Sequence, residues 1–280
     1  MIPKTRIVSL TALAMLAFAG NSLLCRLALR DTGIDAASFT SVRLASGAAT
    51  LWLVVSLGRR VQPGRGSWGS ALALFAYAAT FSFAYMSLSA ATGALLLFGA
   101  VQVTMIGHGL WRGERFRRWQ LFGLIMAVCG LSALLMPGLS APPALGAALM
   151  LGSGVAWGIY SLRGKGAGDP IRVTAGNFLR AVPFAAGLSA VTLHGTTLGA
   201  PGLWYAAASG ALTSGLGYAI WYTALPALKA TQAATVQLSV PAIAALGGIV
   251  LLGEPLTLRL VVASCAILGG IALIVTEVRK

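Results

Sequence analysis

The sequence predicts an all-α integral membrane protein in which ten transmembrane helices form two inverted repeats of five helices each. Three observations lead to this prediction: the composition, the spacing of the apolar runs, and a match between the two halves of the chain. Of the 280 residues, 58% are hydrophobic and 9% are charged, whereas a soluble domain has about 45–50% apolar and about 25% charged residues. Only a lipid-facing surface accommodates this composition, which excludes a soluble enzyme, a nucleic-acid-binding domain and a disordered chain.

Ten apolar stretches reach the length of about twenty residues that an α-helix needs to cross a bilayer. They cover residues 7–29, 36–58, 67–89, 91–111, 118–137, 143–163, 171–194, 201–226, 229–252 and 257–277. The SLSAATG segment at 87–93 separates the third stretch from the fourth. The first stretch also resembles a signal peptide, but it continues to Ala28 and nine more follow, which favours an uncleaved first helix.

The basic residues predict how these helices are oriented. With a cytoplasmic N-terminus, fifteen Lys and Arg residues fall in cytoplasmic segments and two, Arg30 and Arg259, fall in external ones. This positive-inside bias predicts that both termini are cytoplasmic. We therefore interpret the net charge of +14 as attraction to anionic lipid headgroups and expect no nucleic-acid partner.

A match between the two halves of the chain predicts an internal repeat. Residues 113–136 (GERFRRWQLFGLIMAVCGLSALLM) align with 253–275 (GEPLTLRLVVASCAILGGIALIV). Four pairs of residues match: Glu114 with Glu254 and Gly130 with Gly270 at an offset of 140, and Arg26 with Arg163 and Arg43 with Arg180 at an offset of 137. Residues 1–140 and 141–280 are thus two copies of a five-helix unit, and the odd number of helices inverts the second copy. Inverted repeats are typical of secondary transporters, whose substrate site lies where the repeats meet.

Two five-helix halves that each end in a Gly-Glu turn and a glycine-containing last helix resemble the drug/metabolite transporter superfamily, specifically its EamA-type branch. The resemblance covers the whole chain and rests on Gly113-Glu114 and Gly253-Glu254. Within that branch the sequence is similar to the YddG-type amino-acid exporters of the bacterial inner (cytoplasmic) membrane. The resemblance implies ten helices, a central cavity formed mainly by helices 1, 3, 4, 6, 8 and 9, and export by alternating access.

The distribution of reactive side chains argues against an enzyme and predicts no cofactor and no metal site. HExxH, GxSxG and glycine-rich phosphate motifs do not occur, and the three cysteines lack CxxC spacing. All six carboxylates fall at span ends or in loops, so we expect none to be buried. His108, near the cytoplasmic end of helix 4, is the alternative as a proton site, but we favour facilitated diffusion along the substrate's own gradient.

Aromatic and amide side chains inside the predicted helices indicate the substrate cavity. Tyr77 and Phe81 are four residues apart and share one face of helix 3. Aromatic walls bind apolar side chains, whereas amides and hydroxyls satisfy an ammonium and a carboxylate. The candidate substrate-binding residues are Asn21, Tyr77, Phe81, Phe98, Gln102, Trp157, Tyr160, Tyr218, Trp221 and Gln237. The alternative role for these residues is helix packing, and aromatic faces also bind cations, which leaves cationic drugs as substrates.

Arg43 and Arg180 are charges inside predicted spans. Because an unpaired guanidinium in a membrane is costly, each must meet a helix C-terminus, backbone carbonyls or water. One interpretation is contact with a substrate carboxylate, and the other is a structural charge that each repeat keeps. Since a transporter rarely needs two copies of one substrate ligand, we favour the structural role.

The predicted function is export of amino acids, aromatic and other neutral ones first, by alternating access between the two repeats. The expected partners are the small-molecule substrate and membrane lipid, and we expect the chain to act as a monomer. The alternatives are export of drugs or other small metabolites on the same fold, with or without proton coupling, a membrane scaffold or sensor, and a channel.

Overall fold

The computed structural model of the protein describes residues 4–58, 65–111, 113, 118–136, 138, 141–164, 168–228 and 236–277. All regular secondary structure in these segments is helical. The first seven helices are α1 (Lys4–Asp31), α2 (Ala36–Leu57), α3 (Trp68–Tyr85), α4 (Ala90–Trp111), α5 (Arg118–Leu135), α6 (Ala144–Arg163) and α7 (Pro170–Val191). Five helices are long and apolar enough to cross a membrane by length and composition, namely α1, α2, α4, α5 and α6.

The eighth predicted span is a continuous helical rod whose backbone geometry changes in its middle. It begins as α8 (Ala200–Ala208), passes through the π-helical stretch Ser209–Leu216, and continues as α9 (Gly217–Ala224) and the 3₁₀ turn Leu225–Ala227. We call these four segments together the eighth rod. π-Helical turns are rare and occur mostly at functional sites, and this one lies at the centre of the bundle.

Two helices complete the described chain, α10 (Ser239–Leu252) and α11 (Leu258–Glu277). The predicted spans coincide with the helices to within a few residues, and the break predicted at 87–93 separates α3 from α4. The ninth span, predicted over 229–252, is the exception, because α10 begins at Ser239 and residues 229–235 lie outside the described segments.

The outer surface of the bundle is apolar. Trp204 is 77% exposed, Val250 is 77% exposed and Leu251 is 70% exposed. Because soluble proteins rarely expose contiguous apolar patches of more than a few hundred Å², this surface suits contact with lipid.

Small residues let the central helices approach one another closely. α6 packs against both α3 and α4. A Cβ atom added at Gly154 would collide with the backbone of Leu97, and one added at Gly158 would collide with the side chain of Thr104. The GxxxG spacing of these glycines therefore brings α6 close to α4 and carries Trp157 to the middle of the bundle.

The last helices of the two predicted repeats, α5 and α11, pack against each other. Gly130 of α5 lies against Ile267 of α11, and Gly270 of α11 lies against Ala127 of α5. The offset of 140 that maps Gly130 onto Gly270 also maps Ala127 onto Ile267 (267 − 127 = 140). The two contacts are therefore equivalents of each other.

Glu254 is buried, and our prediction that no carboxylate is buried was wrong. Gly253 ends α10 in the left-handed region (φ 62°) and turns Glu254 back against the bundle, where it is 8% exposed. Its carboxylate accepts hydrogen bonds from Arg26 Nε at 3.2 Å and from the Ala90 backbone N–H at the start of α4 at 2.8 Å. The opposite charge and the positive end of the α4 dipole replace the lost hydration.

Arg26 extends this contact to a third helix, since its NH1 donates to the Tyr85 carbonyl at 2.9 Å at the end of α3. We call Arg26, Glu254, Ala90 and Tyr85 the end cluster, which joins α1, α3, α4 and the α10–α11 connection. In the first half of the chain Gly113 is also left-handed (φ 94°), whereas the matching Glu114 lies outside the described residues.

Asp35 joins two connections between helices near the same end of the bundle. Its carboxylate accepts from the Ser38 backbone N–H at 2.9 Å, which caps α2, and from the Thr197 backbone N–H at 3.0 Å. Partial burial alone would raise the pKa of the Asp35 carboxyl, but these hydrogen bonds hold the pKa below its usual value. The carboxylate is therefore ionised at neutral pH and holds the α1–α2 and α7–α8 connections together.

Glu254→Ala should lower the free energy of unfolding by about 3–5 kcal/mol, because it leaves the Arg26 guanidinium half-buried without its partner. Reversible unfolding of the purified protein in mixed micelles measures this loss. Asp31→Ala is the matched control: it removes the exposed Arg30–Asp31 pair and should cost about 1 kcal/mol or less. Equal losses in the two variants would contradict a special contribution from the end cluster.

Candidate functional site

A small cavity lies at the centre of the bundle, where α1, α3, α4, α6 and the eighth rod meet. Its volume is about 20 Å³, which is room for about one water molecule, so its walls almost touch in this conformation. The lining residues are Phe18, Asn21, Ser22, Tyr77, Phe81, Leu97, Phe98, Trp157, Thr213 and Tyr218. The resemblance implies that the ninth helix also forms the cavity, but α10, which corresponds to it, contributes none of these residues.

One side of the cavity is an aromatic wall built around Trp157. Its ring centroid lies 4.8 Å from that of Tyr77, 5.0 Å from Tyr218 and 5.4 Å from Tyr160. Phe81 extends the wall beyond Tyr77 with a centroid distance of 5.5 Å. Since aromatic pairs at these separations attract each other beyond the burial of their area, the wall is held together by mutual ring contacts among α3, α6 and α9.

A polar cluster centred on Asn21 of α1 adjoins this wall. Asn21 Nδ2 donates to the Tyr77 hydroxyl at 3.3 Å, and Asn21 Oδ1 accepts from Ser209 Oγ at 2.8 Å and from Thr213 Oγ1 at 3.4 Å. Ser209 and Thr213 belong to the π-helical stretch. The amide therefore links α1 and α3 to the point where the eighth rod changes its geometry.

Arg43 of α2 lies directly behind the Tyr77 and Phe81 rings. Its side chain is buried, with 2% of the residue exposed, and its guanidinium carbon lies 5.1 Å and 4.9 Å from the two ring centroids. NH2 donates to the Tyr77 hydroxyl at 3.0 Å and Nε donates to Ser214 Oγ at 3.2 Å. NH1 has no hydrogen-bond partner among the described residues, so one edge of a buried cation is unused.

Arg180, which the sequence match pairs with Arg43, has a different environment. Its side chain is half-buried and stands 6.0 Å from the Trp68 ring centroid. NH1 donates to the backbone carbonyls of Arg65 and Gly176. Of the three expected partners of these arginines, a helix C-terminus, backbone carbonyls or water, backbone carbonyls are found at Arg180. The described partners of Arg43 are side-chain hydroxyls and ring faces.

The structure brings most of the predicted substrate-binding residues together. Six of the ten line the cavity: Asn21, Tyr77, Phe81, Phe98, Trp157 and Tyr218. Tyr160 and Trp221 are buried beside it, Tyr160 against Trp157 and Trp221 against Phe18. Gln102 instead lines a separate crevice between α4, α5 and α11, and Gln237 is half-buried two residues before α10 begins.

The ten candidates leave out four lining residues: Phe18, Ser22, Leu97 and Thr213. Ser22 is the chain neighbour of the candidate Asn21. The position of Phe18, three residues before Asn21 on the same face of α1, was a signal that could have found it. Leu97 and Thr213 carry no such signal, because leucine and threonine are common on every face of a membrane helix.

The fold and this site define a class of protein, a helical membrane protein with a small cavity at the centre of its bundle. The profile of the EamA-like transporter family matches residues 144–276. The chain belongs to this family and, with it, to the drug/metabolite transporter superfamily. It is therefore a multi-pass membrane transporter and not an enzyme.

Individual proteins extend this comparison. The uncharacterized protein PA1977 of Pseudomonas aeruginosa is 61% identical over 275 residues, which are 98% of this chain and 96% of that protein. The threonine/homoserine exporter RhtA of Salmonella typhimurium is 33% identical over 145 residues, which are 48% of this chain and 47% of RhtA. A solved crystal structure superposes with a TM-score of 0.66 at 19% identity, over 99% of this chain and 100% of that chain, and so shares the fold.

Tyr77→Phe should lower the free energy of unfolding by about 1–3 kcal/mol, because it removes the acceptor of two buried donors, one of them a guanidinium. Unfolding of the purified protein in mixed micelles measures the change. Tyr160→Phe is the control, since it removes the acceptor of one neutral donor at 3.4 Å, Asn177 Nδ2, and should cost less. A smaller loss in the Tyr77 variant than in the control would contradict the central place given to this hydroxyl.

Proposed function

We propose that the protein is an inner-membrane exporter of neutral amino acids, aromatic ones included, that works by alternating access. The central cavity carries this proposal, because its lining combines an aromatic wall with amide and hydroxyl groups, and a guanidinium lies behind the Tyr77 ring of that wall. A neutral amino acid has the same two sides, a side chain without charge and a carbon that bears an ammonium and a carboxylate. The relation of half the chain to RhtA, a threonine/homoserine exporter, supports the same class of cargo.

The packing of the helices supports the ten-helix arrangement of two inverted repeats, residues 1–140 and 141–280. In this arrangement α1 to α5 correspond, in order, to α6, α7, the eighth rod, α10 and α11. A contact between two helices should then recur between the two helices that correspond to them. α1 packs on the eighth rod as α6 packs on α3, and α1 packs on α10 as α6 packs on α4. α2 packs on α7 and α5 on α11, pairs that map onto themselves. Such matched contacts are what a twofold axis between inverted repeats produces.

In this arrangement both termini face the cytoplasm and the end cluster lies on the external side of the membrane. The excess of basic residues in the cytoplasmic segments sets that orientation. In this proposal the chain acts as a monomer, with the described lining of the cavity drawn from both halves of the chain.

Transport in this proposal is facilitative. Among the described residues that line the cavity there is no aspartate, glutamate or histidine, so none of them is an acidic or imidazole group that takes up a proton with the substrate. Glu254 is engaged in an ion pair at the end of the bundle. His108 lies at the end of α4 beside Trp111, with ring centroids 6.4 Å apart, and is the group to test if transport depends on a proton gradient.

Export of drugs or other small metabolites on the same fold is the second candidate. The aromatic wall accommodates flat apolar molecules, and ring faces also attract cations. Arg43 behind Tyr77 and Phe81 opposes the second attraction, because its positive charge repels a cation at the same rings. Neutral metabolites are therefore better alternative candidates for the substrate than cationic drugs are.

Uptake of labelled amino acids into proteoliposomes tests the proposal. We expect saturable, temperature-sensitive flux of neutral amino acids that an imposed proton gradient does not change, with protein-free vesicles as the baseline. Gradient-driven accumulation would contradict the facilitative mechanism, and flux that does not saturate would indicate a channel. Flux of labelled nucleosides or drugs without flux of any amino acid would contradict the cargo.

Trp157→Ala should raise the KM for amino-acid transport about tenfold, because it removes a ring that contacts three others at the cavity. Trp204→Ala is the matched control, since Trp204 is 77% exposed on the outer surface and should leave KM unchanged. Proteoliposome flux at equal amounts of folded protein measures both values. Loss of folded protein with an unchanged KM would assign Trp157 to helix packing instead.

A further inference from the structure

We propose that Arg43, together with the hydroxyl groups of Tyr77 and Ser22, binds the carboxylate of the transported substrate. This inference rests on the proposed function, since it describes how the same cavity recognises an amino acid. It gives Arg43 a substrate-binding role in place of the structural role that the repeat predicts.

The first observation is an uncompensated charge. Arg43 is 2% exposed, and the ion pairs among the described residues are Arg26–Glu254 and Arg30–Asp31, so no described carboxylate lies within 4 Å of its guanidinium. Hydroxyl dipoles and ring faces stabilise a cation only in part, and a buried charge without a partner is costly. A bound carboxylate supplies the missing counter-charge at this place.

The second observation is a set of unused donors in the cavity lining and directly behind it. Arg43 NH1 and Ser22 Oγ have no hydrogen-bond partner among the described residues. The Tyr77 oxygen accepts hydrogen bonds from Arg43 NH2 and Asn21 Nδ2, which fills its two lone pairs and leaves its own hydrogen to donate. Ser22 and Tyr77 line the cavity and Arg43 is bonded to Tyr77. A carboxylate accepts several hydrogen bonds through two oxygens, so it matches these donors.

The contrast with Arg180 excludes a role shared by the two repeats. Arg180 is half-buried and directs NH1 at the backbone carbonyls of Arg65 and Gly176. A structural charge kept by both repeats would have similar partners in both. The difference assigns the structural role to Arg180 and leaves Arg43 as the charge at the cavity.

The size of the cavity sets the order of events. With a volume of about 20 Å³ the cavity cannot hold an amino acid, so the substrate must part the Tyr77 and Trp157 rings, whose centroids are 4.8 Å apart. The carboxylate then reaches the Tyr77 hydroxyl and Arg43, while the side chain takes the place of the broken ring contact. Recognition therefore needs both the carboxylate and a side chain that the aromatic wall accepts.

Ligand-induced thermal stabilisation of the purified full-length protein tests this inference with matched ligand pairs. Each pair differs in the carboxylate alone: L-threonine and L-threoninol, L-phenylalanine and L-phenylalaninol, benzoate and benzyl alcohol. For the native chain we expect the carboxylate-bearing member of the amino-acid pairs to act at about tenfold lower concentration than the alcohol. Arg43→Gln keeps a donor for Tyr77 but removes the charge, and it should reduce that preference to about twofold or less.

Arg180→Gln is the matched control and should leave the preference unchanged. Ser22→Ala, which removes one hydroxyl and little volume, should reduce the preference about threefold. A folded Arg43→Gln variant with the native preference would overturn the inference. If Arg43→Gln does not fold, Ser22→Ala and Tyr77→Phe decide, and an unchanged preference in both would overturn it.

The benzoate pair separates this inference from the proposed function. Stabilisation by benzoate but by no amino acid, lost in Arg43→Gln, would keep the carboxylate site and remove amino acids as the cargo. Stabilisation by amino acids and by their alcohols at equal concentrations would keep the cargo and remove the carboxylate site. Stabilisation by none of the carboxylates would remove both.

Discussion

A guanidinium at the centre of an apolar bundle has no bulk water around it, so the neighbouring helices must solvate it. Most features of the centre of this protein follow from Arg43. The Tyr77 and Phe81 rings lie against its plane, and Ser214 reaches its Nε from the π-helical stretch. Ser214 comes this close because Gly210 faces the Arg43 carbonyl, where any side chain would collide. The aromatic wall, the glycine contact and the irregular eighth rod thus all bring groups into contact with this one buried guanidinium.

Two arginines, Arg26 at one end of the bundle and Arg43 at its centre, have different partners. At one end of the bundle Arg26 meets a carboxylate, and that carboxylate also caps a helix, so the charges there are neutralised within the protein. At the centre Arg43 meets hydroxyls and ring faces instead. Paired charges hold helices in place, whereas a charge with an unused hydrogen-bond donor remains available to a transported ligand. The charges at the end of the bundle are thus paired within the protein, whereas the guanidinium of Arg43 near the cavity has no charged partner among the described residues.

The sequence was sufficient to predict the helices and much of the cavity, because both depend on local patterns. Apolar length locates the spans, and the spacing of Tyr77 and Phe81 locates one wall. The position of Gln102 was not predictable in the same way: it follows Phe98 by one helical turn, yet Phe98 lines the cavity and Gln102 lines the crevice against α5 and α11. α4 is covered by neighbours on most sides, so its own sequence shows no single inward face.

Long-range contacts account for the other differences. Glu254 is buried because Arg26, 228 residues away in the chain, and the start of α4 come to meet it, and a position at a span end gives no sign of either. The π-helical stretch likewise has no local signature, since glycine, serine and threonine also occur in regular membrane helices. The match between the two halves predicts a structural role for both Arg43 and Arg180, which stays a prediction. Their contacts differ, because a repeat fixes where a residue stands on its helix and not which neighbours it meets.

The register of the eighth rod depends on a surplus residue. A π turn takes up an inserted residue while the helix ends stay in place, and each residue of a regular helix rotates the following side chains by about 100°. The offset between the halves grows by three residues (140 − 137 = 3) between Arg180 and Glu254, the interval that contains this stretch. Deleting one residue there would rotate Tyr218 and Trp221 away from their present neighbours without altering hydropathy or the number of spans. Insertions and deletions in this stretch would therefore change the aromatic wall of the cavity and preserve the membrane topology.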